Sequence, residues 1–334
     1  MTETINISSQ EMLSKFERIL LSRGFEKENA LQCAQVFTSN SVDGVYSHGV
    51  NRFASFVKMV DAENVKPNNT PSLKSKFAGI EQWDGNFGAG PLNAMFATNQ
   101  AIGLSQQHGI GCVALANTNH WMRGGAYGWH AAKQGHVFIG WTNTIGNMPA
   151  WGATDNRLGN NPFVLAVPYK DEAIVLDMAM SQYSYGKMEL AKMKGEKLDM
   201  VGGYDASGAL TNDPAAILQT RRTIPVGYWK GAGLTLLLDI LATILSGGLS
   251  TADINAKGIE YASQVFIAID ISKLGNHASI PQMVNNIITD YHESLPENNN
   301  EIIYPGERVV ATRKKNIAEG MPVIASVWEE IQLL

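Results

Sequence analysis

Ser47-His48-Gly49-Val50-Asn51-Arg52 sets an imidazole and a guanidinium four positions apart, where the surrounding pattern predicts the start of a helix. Residues at i and i+4 share a helix face, so His48 and Arg52 are expected to point at one small volume. Arg clamps a carboxylate through two parallel hydrogen bonds, and His passes a proton near neutral pH. Together they suit the reduction of an acid carrying a carbonyl, such as a 2-oxo acid. A solvated helix face would carry the same pair without any chemistry, and the two residues alone do not decide between these readings.

Asn119-His120-Trp121-Met122-Arg123-Gly124-Gly125 is the second such segment, because it follows an expected strand and loops at that end of a strand commonly hold ligands. His120 there reads equally as a pocket residue or as a satisfied core histidine. His108, His130, His136, His277 and His292 fall on helix ends or loops with no partner visible in the sequence. Trp229-Lys230 precedes Gly231 and Gly233, so backbone N–H groups and a cation gather where a phosphate would fit, although a snorkelling Lys explains the pattern as well. The Gly-x-Gly-x-x-Gly dinucleotide fingerprint, the Walker loop, the His-Glu-x-x-His zinc motif and the Gly-x-Ser-x-Gly elbow are all absent. A metal hydrolase built on His48, His120 and Asp177 would need ligands of no recognised spacing, and no metal is expected. A carboxylate-binding protein without turnover is the remaining rival.

The elements that must carry these residues can be read from periodicity. Ser8-Ser9-Gln10-Glu11 is a capping box before Met12, Phe16, Ile19 and Leu20, with Gly24 placed to end the helix. A second helix runs from about Lys27 to the stop at Asp43-Gly44, and Ser47 is the expected N-cap of a third that carries Phe53, Phe56, Val57 and Val60. Pro67-Asn68-Asn69-Thr70-Pro71 marks a boundary. Beyond it, the apolar runs 111–116, 137–141, 163–167, 173–178 and 265–269 read as strands, and 91–109, 233–245 and 281–292 as helices. Residues 197–213 are expected to be a long surface loop, 297–300 a loop, and 323–333 a helix or strand. The alternation implies an α/β fold with a helix-covered sheet.

The 334 residues are enough for one large domain or two ordinary ones. A charged share of 17% against 45% hydrophobic hints at extensive buried surface, including a subunit interface. The formal charge of -5 excludes a nucleic-acid binder, and Arg221-Arg222 and Arg313-Lys314-Lys315 are too short to form a basic patch. Cys33 and Cys112 read as small core residues, which fits a reducing cytoplasm, and the amino terminus lacks a signal pattern. The longest apolar run, 234–245, is too short for a membrane span and Asp239 interrupts it.

Asp43-Gly44-Val45-Tyr46-Ser47-His48-Gly49-Val50-Asn51-Arg52 resembles the signature of the malate/L-lactate dehydrogenase family, whose nucleotide-binding fold is not of the Rossmann type. The resemblance runs over essentially the whole chain. It includes Glu81-Gln82-Trp83-Asp84, the 119–125 segment, Trp141-Thr142-Asn143, Asn161-Pro162, Ser184-Tyr185-Gly186, Gly227-Tyr228-Trp229-Lys230-Gly231 and Gln264-Val265-Phe266-Ile267-Ala268-Ile269. The Val45-Tyr46 flank and the Gly-Tyr-Trp-Lys segment resemble one branch in particular, reductases of a dioxo sugar acid.

What the resemblance implies is NADH-dependent reduction of a small 2-oxo acid, with NADPH less favoured, by a cytoplasmic homodimer whose site lies between domains. A helical substrate-side domain of residues 1–75, joined by the C-terminal segment 300–334, would face a mixed-sheet α/β NADH-binding domain of residues 76–299. By the same resemblance His48 donates the proton, Arg52 holds the substrate carboxylate, and Ser47 and His120 line the pocket. Cofactor contacts would fall on Ala173, Ile174, Val175, Leu176, Asp177, Met178 and Ala179, on Trp229 and Lys230, and on Gly306, Glu307 and Arg308. Malate, lactate, ureidoglycolate or a cyclic imino acid are the alternative substrates within the same family.

Overall fold

The computed structural model describes residues 3–259, 261–298 and 300–334. Strand β1 (Thr4–Ile7) leads into helices α1 (Ser9–Ser22), α2 (Lys27–Val42) and α3 (Val50–Asp61). The hairpin β2 (Ser72–Phe77) and β3 (Ile80–Asp84) is followed by α4 (Gly90–His108), β4 (Ile110–Thr118), α5 (Gly124–Ala132) and β5 (His136–Thr142). Two short strands, β6 (Met148–Pro149) and β7 (Asn156–Leu158), precede the long pair β8 (Phe163–Tyr169) and β9 (Glu172–Met178). After α6 (Tyr185–Lys194) come β10 (Gly203–Tyr204), β11 (Leu210–Thr211), α7 (Pro214–Thr220), α8 (Trp229–Ser246) and α9 (Thr251–Lys257). The chain closes through β12 (Ala262–Asp270), α10 (Ile280–His292), α11 (Glu307–Glu319), β13 (Met321–Ile324) and α12 (Ala325–Gln332).

Seven strands form the main sheet in the order β2-β3-β4-β12-β5-β8-β9. Only β3 and β4 run parallel; every other neighbouring pair is antiparallel. A Rossmann sheet is mostly parallel, so this mixed α/β sheet is a different fold, as the sequence led us to expect. Helices α4 and α5 cover one face with Trp121, Tyr127, Phe138 and Phe266, and α8 covers part of the other around Trp141, Leu238 and Val265. A separate core fills the helical part, where the Phe16 and Phe53 rings stack at 3.8 Å and Phe37 meets Phe53 edge-on at 5.2 Å. Each such aromatic pair adds about 0.5–1.5 kcal/mol beyond its buried area. The chain's end returns to this core: β13 pairs antiparallel with β1, and Trp328 and Ile331 of α12 are buried in it.

Three elements differ from the sequence reading. Ser47 is not the cap of α3. Residues Tyr46–His48 form a single 3-10 turn, and α3 starts at Val50 behind Gly49. The cause lies in α2, whose Ser41 hydroxyl accepts the Val50 N–H at 2.8 Å and so fixes the helix start. Helix α8 begins before the expected Gly233 and spans 18 residues, long and apolar enough by length and composition to cross a membrane. It instead lies on the sheet, with Asp239 accepting from Asn143 at 2.8 Å and from the Thr251 N–H at 3.0 Å. The loop at 197–213 contains the small β10–β11 pair. The last segment is both strand and helix, β13 then α12, and the 297–300 loop includes Asn299, which lies outside the described residues. At α1, Ser8 accepts the Glu11 N–H at 3.2 Å, one half of the expected capping box.

A Cβ on Gly49 would come within 2.2 Å of the Ser41 hydroxyl and 2.9 Å of its backbone nitrogen. Because the second of these cannot yield, Gly49→Ala is expected to cost about 1–3 kcal/mol of stability, read as a lowered urea midpoint with an unchanged slope. An unaltered midpoint would show that the 3-10 turn does not need this close approach.

Candidate active site

The His48 turn is fixed from three sides. Asn40 of α2 donates to the His48 carbonyl at 2.9 Å. Asn316 of α11 donates to the Val42 carbonyl at 2.9 Å and to the Tyr46 hydroxyl at 3.0 Å, and Ser47 Oγ lies 3.1 Å from His48 Nδ1. His48 and Arg52 therefore do not share one helix, although Arg52 still acts electrostatically on the ring.

His120 comes from the loop between β4 and α5, which is held just as firmly. Tyr127 donates to the Trp121 carbonyl at 2.6 Å, Asn119 to the Gly88 carbonyl at 2.9 Å, and Gly90 leaves room for the His120 backbone where a Cβ would stand 2.2 Å from its oxygen. Met122 adopts a left-handed φ of 66°, uncommon for a non-glycine residue, and its N–H donates to His120 Nδ1 at 3.0 Å. That bond makes Nδ1 the acceptor and leaves the proton on Nε2 of the neutral ring. The rings of His48 and His120 stack with centroids 5.8 Å apart and planes 17° from parallel.

The electrostatics divide the two histidines. Burial, then the charges of His48 and Arg52, push the His120 pKa down to about 3, so it is a neutral donor at any working pH. Burial also lowers His48 below the ordinary imidazole value; Arg52 and Arg123 add to the depression, while Asp177 opposes it. Arg52 itself is half-buried and, among the described residues, has no hydrogen bond or ion pair. A half-buried guanidinium fork left open has the chemistry to take a carboxylate. His48, His120 and Asp177 form no group suited to a metal ion among the described residues.

Strand β9 ties the expected cofactor residues together. Ala173 and Val175 face α5, and Val175 N–H donates to Pro305 at 3.0 Å beside Gly306, whose φ of 93° and bare Cα allow it to lie against the strand. Asp177 accepts the Gly125 N–H at 2.8 Å at the head of α5. Beyond Met178 and Ala179, Met180 accepts the Val226 N–H at 2.7 Å, which brings in the start of α8 with exposed Trp229 and Lys230. Among the described residues no side chain caps that helix, although the Lys230 N–H donates to the Gly227 carbonyl at 3.2 Å, and the Lys230 side chain at its start suits a cofactor phosphate. Ile174, Leu176 and Met178 point to the α8 side of the sheet. Glu307 accepts the Tyr304 N–H at 3.0 Å and meets His292 at 3.1 Å, while exposed Arg308 lies 3.7 Å from Glu301.

Several residues carry more than their sequence suggested. Asp43, read as a helix stop and as the first residue of the quoted signature, pairs with Arg123 and with Arg313, and Arg313 reaches Glu172 at 2.9 Å. The short basic run beginning at Arg313 thus supplies a structural cation. Their type and place in the quoted motifs were visible, but pairing across such sequence distances was not. Of the histidines without visible partners, His130 meets Asn99 at 2.7 Å and His292 meets Glu307. Cys33 is buried and Cys112 half-buried, and burial raises both thiols, Cys112 to about 11. A cavity of about 620 Å³ between α2, α4, α5 and α11 reaches Asp43, Trp129 and Arg313 but none of His48, His120 or Arg52.

A mixed sheet without a Rossmann crossover, with a half-buried His pair beside an open Arg, defines the class. The profile of the malate/L-lactate dehydrogenase family matches residues 7–332, and the chain belongs to that family. It is an oxidoreductase acting on a hydroxy or keto group, a 2-hydroxy-acid dehydrogenase, which implies a nicotinamide cofactor. Among curated relatives, the 2,3-diketo-L-gulonate reductase of Citrobacter koseri is 41% identical over 335 residues, covering 99% of this chain and 100% of the relative. Among solved structures, malate dehydrogenase from Entamoeba histolytica superposes with a TM-score of 0.93 at 22% identity, over 99% of this chain and 97% of that one. Malate dehydrogenase from Pyrococcus horikoshii OT3 gives 0.89 at 26% identity, over 99% and 94%.

The contrast between the two rings is measurable without substrate. In an NMR pH titration, the His120 ring signals are expected to stay those of the Nε2–H tautomer down to pH about 5, while His48 titrates below a free imidazole. A His120 that protonates near pH 6 would remove its role as a fixed neutral donor.

Proposed function

We propose that the protein reduces 2,3-diketo-L-gulonate to 3-keto-L-gulonate with NADH, by hydride transfer to the C2 carbonyl and protonation by His48. The observation that carries this reading is the meeting of a titratable His48, a neutral His120 and an Arg52 that has no partner among the described residues. The substrate's name is supported by relatives 41% identical over the full length.

Arg52 holds the substrate carboxylate and so orients C2, a contribution mainly of position. His120 donates its Nε2–H to a substrate oxygen and Ser47 lines the same pocket. The bound nicotinamide supplies the hydride to the carbonyl carbon. His48 gives its proton to the oxygen that becomes the hydroxyl. Residues 173–179, Trp229, Lys230 and Gly306 to Arg308 hold the cofactor, whose preference for NADH over NADPH is part of the proposal. On this reading residues 1–75 with 300–334 form the substrate-side domain and 76–299 the cofactor domain, in a cytoplasmic enzyme.

A homodimer completes the proposal. Helix α8 leaves Leu234, Leu237, Leu241 and Ile244 exposed, and Leu165 of β8 is exposed on the same side of the sheet. So much apolar surface on one side supports an interface there.

Reduction requires protonated His48, so kcat/KM is expected to fall as pH rises through a limb below the ordinary imidazole value. A bound carboxylate neutralises Arg52 and lifts His48, so the same limb in kcat belongs at higher pH; coincident limbs would separate Arg52 from the carboxylate. His48→Gln is expected to lose at least about a hundredfold in kcat, and Arg52→Ala chiefly to raise KM. NADH oxidation across a panel of diketogulonate, oxaloacetate, pyruvate and ureidoglycolate's oxo acid tests the substrate, and a clear preference for oxaloacetate or pyruvate rejects diketogulonate. Leu237→Lys with Ile244→Lys is expected to give a folded monomer by light scattering; an unchanged dimer would place the interface elsewhere.

A further inference from the structure

We propose that Asp43, shared between Arg123 and Arg313, is a positioning residue that holds the His48 turn against the His120 loop; this rests on the reductase reading above. Asp43 ends α2 and leads into the turn that carries His48, while Arg123 stands at the head of α5, directly beyond the loop that carries His120. Their ion pair is therefore a bolt between the two segments whose rings stack. The Asp43 and Arg123 side chains are only 10% and 5% exposed, so the contact is made away from bulk water.

A second bolt comes from α11. Arg313 grips the same carboxylate with two nitrogens, at 2.6 Å and 3.2 Å, and turns a third to Glu172 at the start of β9. Lys133, just after α5, closes the set on Glu172 at 3.0 Å. The neighbouring Gly44 has a φ of 80° and lies so close to Thr312 that a Cβ would stand 2.7 Å from its methyl carbon, which lets α11 press on the turn. None of these side chains lies in the ring stack itself. They act through the placement of His48, and what they set is how enclosed that ring is.

The test uses the full-length protein. The groups that face His48 are Asp177 of β9, Arg52 of α3, Arg123 at the head of α5 and His120 of the β4–α5 loop. Asp43→Asn keeps the shape and removes the charge. Released from its bolt, His48 becomes more exposed, and its titration, followed by NMR without substrate, is expected to move up by about half a pH unit or more. Reduction should fall at least about tenfold in kcat, with the NADH dissociation constant, read by nicotinamide fluorescence, unchanged. A titration that stays put, with activity lost only in proportion to unfolded protein, would make the role merely structural and overturn the proposal. One that moves down would mean that the geometry held and that Arg123, no longer neutralised, repels the proton; that also overturns it. If Asp43→Asn does not fold, Arg313→Gln at the more exposed end of the network is expected to show the same upward shift at smaller amplitude, and its absence overturns the proposal. If wild-type protein oxidises no NADH with any 2-oxo acid, the reductase reading fails, while the NMR shift still decides the positioning role.

Discussion

A carboxylate taken out of water costs several kcal/mol, and Asp43 meets that cost only because two guanidinium groups converge on it from different parts of the chain. One belongs to the head of α5 and the other to α11, while the carboxylate sits at the end of α2. Removing one partner from a buried set typically costs about 3–5 kcal/mol, because the charge left behind stays desolvated. The arrangement thus tolerates one relative placement of α2, α5 and α11, and with it one placement of the turn and the loop they begin or end. Arg313 is fixed further by the face of Trp129, 4.6 Å from its guanidinium carbon.

The same convergence explains what could be read in advance. Strands β4, β5, β8, β9 and β12 were legible because burial makes each an apolar run, and α2 ends at Asp43-Gly44 because glycine alone takes the backbone there cheaply. Sheet order was not legible, since the neighbours of β12 come from distant segments. Nor was β13, which is a strand because β1 lies beside it. The residue types of the site were visible and its geometry was not. His48 and Arg52 were placed on one helix by spacing, yet a serine in α2 moves the helix start beyond His48. Local pattern has no means of reporting a hydroxyl that arrives from another helix.

Two stacked imidazoles beside two arginines do not both hold a proton, and the fold gives the two rings different surroundings. His120 spends its Nδ1 on the Met122 N–H, and the burial of its ring together with the charges of His48 and Arg52 keeps it neutral. His48 keeps a carboxylate in view, Asp177, and is the ring that can still be charged. Asp177 is itself held by the first turn of α5, the helix whose head carries Arg123. The ion pair that places the two rings and the carboxylate that favours protonation of one of them are therefore fixed by a single helix start. On the proposed reading, an anion entering beside Arg52 adds negative charge next to a cation that has no partner among the described residues, and the ring that responds is His48. Under that proposal, proton supply and acid recognition are one electrostatic arrangement.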